Sequence, residues 1–357
     1  MKKIISVLLL TSLILSAILC LTGCGEGGKS NKYKTLSKTV SYSYFNTVSQ
    51  ISSYGDTSKA EFEDYVKTVD ETLGYYHKLF DIYYEYSGFD NIKTINKNAG
   101  QNPVKVDKEL VDFLLYCKEL YTLTRGKTNV MLGSVLKIWH DVRDEANENL
   151  GYLAQSDLPS AEALSEANGH TSIDSLVINE EECTVYISDA KASLDVGAVA
   201  KGYVVEILYN KLKAAGADSL VLNIGGNIRT IGLKPDGEEW VSGITDPDSS
   251  SDSTFKCKIS LGEGSIVTSG DYERYFVVGD KKYHHIIDPD TLMPAAYFSA
   301  VSIITKDSAL ADALSTALFC MSYEEGLELI KSIGGVEVIW IDTDYNMITT
   351  DGVKIKS

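Results

Sequence analysis

The stretch DVGAVAKGY, Asp195 to Tyr203, is the point from which the rest of the chain is read. Asp195 reads as the end of a strand, and the small residues after it open a helix that runs from Val199 to Ala215. Free N–H groups at such a start, with Lys201 one turn in, suit a phosphate. Small residues also open a helix wherever it packs closely on a sheet, so the stretch alone fits either use. Gly216 then stands where a helix end favours a left-handed residue.

Towards the N-terminus the pattern is helical. Ser58 with Glu61 forms a capping box, and Phe62, Tyr65, Val66, Val69, Leu73, Tyr76, Leu79 and Phe80 repeat at three and four, which predicts a helix over 58–86. Further helices are expected over 107–123 and 130–148, with a short one from Pro159. Short β-rich runs at 175–178 and 184–187 follow. Towards the C-terminus strands dominate, at 219–224, 227–233, 240–245 and 255–261. A hairpin over Gly279-Asp280 joins 275–278 to 283–287. Then come a strand at 301–305, helices over 308–321 and 323–333, and a closing hairpin, 336–341 with 347–349. Helices early and strands late make an α+β chain.

Three more stretches carry possible chemistry. Asn223-Ile224-Gly225-Gly226-Asn227 permits a tight hairpin or a close backbone approach to a ligand. In Ala311-Asp312-Ala313-Leu314-Ser315-Thr316, Asp312 and Thr316 lie four apart on one helix face. That is half of a magnesium site, or an acid placed to favour the helix dipole. Tyr283-His284-His285-Ile286-Ile287-Asp288 holds two of only five histidines. Neighbours on a strand face opposite ways, so one of the pair is free to serve as a general base.

The chain begins with Lys2, Lys3 and an apolar run from Ile4 to Leu19, of signal-peptide length. Leu21-Thr22-Gly23-Cys24 looks like a bacterial lipobox, which predicts a signal over 1–23, a lipid on Cys24, a flexible tether over 24–40 and one domain over 41–357. The net charge of −17, with no basic run beyond the N-terminal segment, excludes nucleic acid as a partner. An anionic ligand must therefore be held by a metal ion, helix starts or a few placed cations. Cys117, Cys183, Cys257 and Cys320 are scattered, and their pairing stays open.

Together, Ser193-Leu194-Asp195 through Lys201-Gly202-Tyr203, Asn223 to Arg229, Thr268-Ser269-Gly270-Asp271-Tyr272, His285-Ile286-Ile287-Asp288-Pro289 and Ala311 to Ala317 resemble, in order and spacing, the motifs of the ApbE-type FAD:protein FMN transferases. The resemblance runs from about Phe45 to the C-terminus. It implies a T-fold-like α+β domain of mixed or antiparallel sheets with packed helices. It implies FAD as substrate and Mg2+ as cofactor, with FMN moved as a phosphoester onto a Thr or Ser hydroxyl and AMP released. By position it implies His285 as the catalytic residue, and Asp312, Thr316 and the Ala198 carbonyl as metal ligands. Phe45, Tyr83, Lys127, Thr128, Asn129, Asp195, Lys201, His285 and Val301 fall at flavin-contacting positions. Lys127-Thr128-Asn129 departs from the family's commoner Ala-Phe-Asp. Leu292-Met293 stands where a glycine is commoner, which predicts altered loop geometry with unaltered chemistry. Many members resemble lipoproteins on the periplasmic or outer side of the cytoplasmic membrane, in keeping with Cys24. The implied partner is an electron-transport subunit or extracellular flavoprotein with a Ser/Thr-Gly-Ala-Ser/Thr acceptor. Two alternatives are an FAD pyrophosphatase, with water as acceptor, and a non-catalytic flavin-binding lipoprotein. The second has no use for a base beside a metal pair.

Overall fold

The computed structural model describes residues 32–149 and 151–356. In chain order its elements begin with β1 (Thr35–Ser41), β2 (Ser49–Tyr54), α1 (Lys59–Leu79), α2 (Ile92–Lys97), β3 (Val104–Lys105), α3 (Lys108–Leu123) and α4 (Gly133–Glu148). Next come β4 (Tyr152–Leu153), α5 (Ala161–Asn168), β5 (Leu176–Asn179), β6 (Thr184–Ile187), α6 (Ala200–Ala214), β7 (Leu220–Ile224), β8 (Asn227–Ile231), β9 (Trp240–Thr245) and β10 (Phe255–Leu261). The chain closes with β11 (Ser265–Gly270), β12 (Tyr275–Val278), β13 (Lys281–His284), β14 (Phe298–Thr305), α7 (Ser308–Phe319), α8 (Tyr323–Ile333), β15 (Glu337–Asp342) and β16 (Met347–Thr349).

Eight strands form one antiparallel sheet in the order β1-β2-β7-β8-β11-β14-β15-β16. Strand alternation splits β14 between two cores. Val301 and Ile303 pack with Leu314 and Leu318 of α7, while Ala300 joins Trp240 of β9 and Ile259 of β10 on the opposite face. A satellite core gathers Val135 and Trp139 of α4, Leu164 of α5, and Phe276, Val278 and Tyr283 of the β12–β13 hairpin. The α+β architecture is therefore as expected.

Several boundaries differ from expectation. The helix from Ser58 keeps its capping box but stops at Leu79. There the Asp81 carboxylate accepts the N–H groups of Tyr83 and Tyr84, at 2.6 and 3.0 Å, and turns the chain. The expected tether over 24–40 is wrong from Thr35 onward, because β1 pairs there with β2. The Ser, Thr and Lys of TLSKTVS hide an edge strand behind a polar composition. No strand ends at Asp195. Its N–H instead reaches Val130 O at 2.8 Å from an irregular segment. The strand expected through Ile287 ends at His284, and Ile287 bridges to Pro294. Cys117, Cys183, Cys257 and Cys320 are free thiols. The signal segment and Cys24 lie outside the described residues. No helix among the described residues is long and apolar enough to cross a membrane.

Candidate active site

The starts of α6 and α7 form one wall. They meet at Gly202, where a Cβ would stand 2.3 Å from Ser308 O and 2.5 Å from the Asp312 Cβ, so no side chain fits. That approach lets the Gly202 N–H donate to Asp312 Oδ2 at 2.8 Å. Asp312 is buried, and its Oδ1 faces Lys201 Nζ at 3.7 Å. Thr316 follows one turn on, half-buried, and Ala198 lies just ahead of α6. Ser315 Oγ meets Ser269 Oγ at 2.8 Å, which ties α7 to the Thr268-Ser269-Gly270 stretch of β11.

Among the described residues no three His, Cys, Asp or Glu side chains gather as a metal cluster. The groups expected as ligands, the Asp312 carboxylate, the Thr316 hydroxyl and the Ala198 carbonyl, would offer oxygen only. Such a set fits a hard cation that fills its other positions with water or phosphate oxygens, so the residues present are right in kind for magnesium.

The second wall is α4 with the β12–β13 hairpin. Trp139, His140 and Arg143 meet Tyr283, His284 and His285 around a small pocket. The two histidines are in different states. His284 Nε2 lies 2.8 Å from Ala295 O and must donate to it, while Nδ1 accepts the Ile286 N–H at 3.3 Å. Both nitrogens are committed, and the ring is neutral. His285 Nδ1 is buried with no hydrogen-bond partner. Burial first, then the positive side chains around it, Arg274, Lys201 and Arg143 among them, hold the His285 pKa well below its ordinary value. Lys201 thus acts on both walls, and His285 is an unprotonated base at neutral pH.

Between the walls, Asp195 Oδ1 accepts the Gly197 N–H at 3.0 Å, and Oδ2 lies 3.8 Å from His140 Nε2. The Tyr83 hydroxyl lies 3.5 Å from His140 Nδ1. Tyr83, His140 and Asp195 therefore form a row. His140 and Arg143 were not picked out from the sequence, because on an amphipathic helix a polar residue at the edge of the apolar stripe looks like any solvated one.

Lys127, Thr128 and Asn129 point elsewhere. Lys127 Nζ binds Asp288 Oδ1 and Asp290 Oδ2, each at 2.8 Å. Thr128 Oγ1 donates to Ala313 O at 2.8 Å, and Asn129 Nδ2 donates to Thr171 O at 3.0 Å. Their side chains are engaged within the protein, which leaves only main chain for a ligand. Phe45 adopts a left-handed conformation, φ 54°, edge-on to His77. Beside it, Gly225 and Gly226 make a two-residue turn with both φ positive, and a Cβ on Gly225 would stand 2.3 Å from Thr47 Oγ1. The glycine pair is thus a hairpin and a close approach at once, the approach being to the chain itself. Val301 is a correction. Its side chain is fully buried on a central strand between β11 and β15, and it offers no surface to a flavin. Leu292 adopts φ 62°, a left-handed conformation that glycine takes without strain.

The ApbE family profile matches residues 45–340. The chain belongs to the ApbE family. It is 29% identical over 355 residues to the FAD:protein FMN transferase of Treponema pallidum, covering 95% of this chain and 93% of that one. Its identity to the Haemophilus influenzae FAD:protein FMN transferase is 26%, covering 100% and 98%. The ApbE protein of Thermotoga maritima superposes with a TM-score of 0.75 at 26% identity, covering 90% of this chain and 97% of that one. The flavin transferase ApbE of Vibrio cholerae shares the fold, with a TM-score of 0.71 at 24% identity and the same coverage. With ApbE membership goes an enzymatic role, that of a transferase.

Proposed function

We propose that this ApbE protein moves FMN from FAD onto a Ser or Thr hydroxyl of a target protein and releases AMP. The observation that carries the reading is the pairing of two walls: a neutral His285 with an uncommitted nitrogen, and a helix-start wall bearing Lys201 and Asp312. His285 accepts the proton of the acceptor hydroxyl as its oxygen bonds to the FMN phosphorus. The bond from that phosphorus to the bridging oxygen breaks, and AMP leaves with the electron pair. Lys201 and the start of α6 hold phosphate oxygens in a chain whose net charge of −17 repels them elsewhere. Magnesium, when held by Asp312, Thr316 and the Ala198 carbonyl, supplies further positive charge against the phosphates. Tyr83, Asp195, Phe45 and the main chain of 127–129 bound the flavin. Lipidation at Cys24 would anchor the enzyme to the outer face of the cytoplasmic membrane, where the acceptor protein is met.

The test is a mass spectrum. The protein is incubated with FAD, magnesium and a fragment bearing a Ser/Thr-Gly-Ala-Ser/Thr acceptor. A gain of one FMN on the fragment, with AMP in solution, is expected. Free FMN and AMP beside an unmodified fragment would favour the pyrophosphatase, and intact FAD the carrier.

A further inference from the structure

Arg229 ends the stretch that begins at Asn223, and the glycine turn does not account for it. It is 2% exposed, and its guanidinium carbon lies 3.6 Å from the centre of the Tyr209 ring. Nη1 donates to Thr230 O at 3.1 Å, and Nε donates to Glu206 Oε2 at 3.3 Å. A buried guanidinium between an aromatic face and a carboxylate has little freedom to move. The same Glu206 oxygen accepts the N–H of Ser308, the first residue of α7, at 3.0 Å. Asp307 Oδ1 takes the next two, from Ala309 at 2.7 Å and Leu310 at 3.0 Å. The start of α7 is thus closed by two carboxylates, and one of them belongs to α6.

Besides the Lys201–Asp312 ion pair, the two helices are therefore joined by two main-chain hydrogen bonds, Ser308 to Glu206 and Gly202 to Asp312. The candidate ligands are divided between the same two elements. Asp312 and Thr316 ride on α7, and Ala198 precedes α6. A slip of α7 along its axis would carry the first two away from the third and break the one backbone contact that orients Asp312. We propose that Glu206, held in place by Arg229, is a positioning residue that fixes α7 against α6 and so sets the affinity of the Asp312, Thr316 and Ala198 oxygens for a divalent cation. The inference rests on the reading of those three as metal ligands.

The test is Mn2+ binding by calorimetry, with FAD present, together with hydrogen exchange. Glu206→Ala is expected to weaken Mn2+ binding, at most by the about 10–100-fold that follows loss of a group bonded directly to a metal ligand, because Glu206 acts one step further out, through Ser308. It should also speed exchange at the Ser308 amide while β14 stays protected. Glu206→Gln keeps an oxygen for Ser308 and should recover most of the affinity. Arg229→Lys should fall between them. If Glu206→Ala does not fold, Glu206→Asp, too short to reach Ser308, takes its place. A folded variant without the Ser308 contact that binds Mn2+ as tightly as the wild type overturns the positioning role. A wild type that binds no Mn2+ overturns the metal reading beneath it, and the inference with it.

Discussion

The two walls of the site are built by different physics. The helix wall is held by main-chain N–H groups that donate to carboxylates: Gly202 to Asp312, and Ser308 to Glu206. The hairpin wall is held by stacked rings, Tyr283 lying 5.5 Å from Phe276 at 11° and 6.2 Å from Trp139 at 22°. His285 stands on the seam between them. Ile286 packs into the core behind α7, whereas Tyr283 and Ile287 pack into the satellite core with Trp139. The contrast suits a transfer reaction. Lys201 and Asp312 lie on the helix wall, and His285, the proposed proton acceptor, lies where the hairpin wall meets it.

The sharpest way to break this division of labour is at His285. His285→Ala should lower FMN transfer by about 10²–10⁴-fold, the usual contribution of a general base, and leave FAD binding intact. The wild-type rate should also lack an inflection at about pH 6.5, the ordinary histidine value, because the depressed pKa keeps the ring unprotonated below it. Rates with and without the side chain, measured by single turnover from pH 5 to 8, check both claims. Near-normal transfer by the variant would remove the base from the hairpin wall.

The same contrast explains what was legible in the sequence. Helices α3 and α6, and the start of α1 with its capping box, could be read directly, as could the Gly279-Asp280 turn, whereas Gly225-Gly226 was legible only as a hairpin or a ligand approach. The five stretches around Asp195, Asn223, Thr268, His285 and Asp312 marked both walls. What could not be read depended on partners distant in the chain. β1 is polar because it is an edge strand, and only its pairing with β2 identifies it. Val301 sits in a conspicuous place along the chain, but strand alternation turns it into the core. Lys127 stands among positions expected from the resemblance to contact flavin, yet aspartates 161 and 163 residues away claim its ammonium.

That ion pair ties the loop before α4 to the loop after β13, and removing it gives the second effect in size. Asp288 is 2% exposed, so Lys127→Met leaves a buried carboxylate unpaired, which costs about 3–5 kcal/mol of stability. Asp290, whose side chain is 75% exposed, cannot replace the loss from its end. Adding Asp288→Asn to Lys127→Met should restore part of the stability, as no buried charge then remains. Denaturant titration of the three variants decides the matter. A cost below about 1 kcal/mol for Lys127→Met would mean that water reaches Asp288 and that the two loops are joined by packing alone.

The smallest effect is expected at Leu292. Its left-handed backbone costs roughly 1–2 kcal/mol relative to a glycine, and glycine would return about 0.4–1 kcal/mol through the freer unfolded chain. The loop is already pinned by main-chain bonds, Leu292 N–H to Asp288 O at 2.8 Å and Met293 O to the Asp288 N–H at 2.9 Å, while Trp139 Nε1 donates to Leu292 O at 3.0 Å. None of these needs the leucine side chain. Leu292→Gly should therefore stay within about 1 kcal/mol of the wild type and transfer FMN at the same rate. A loss well above that in denaturant titration would show that the leucine side chain holds the loop. The hairpin wall would then depend on apolar packing right up to the residues that follow its base.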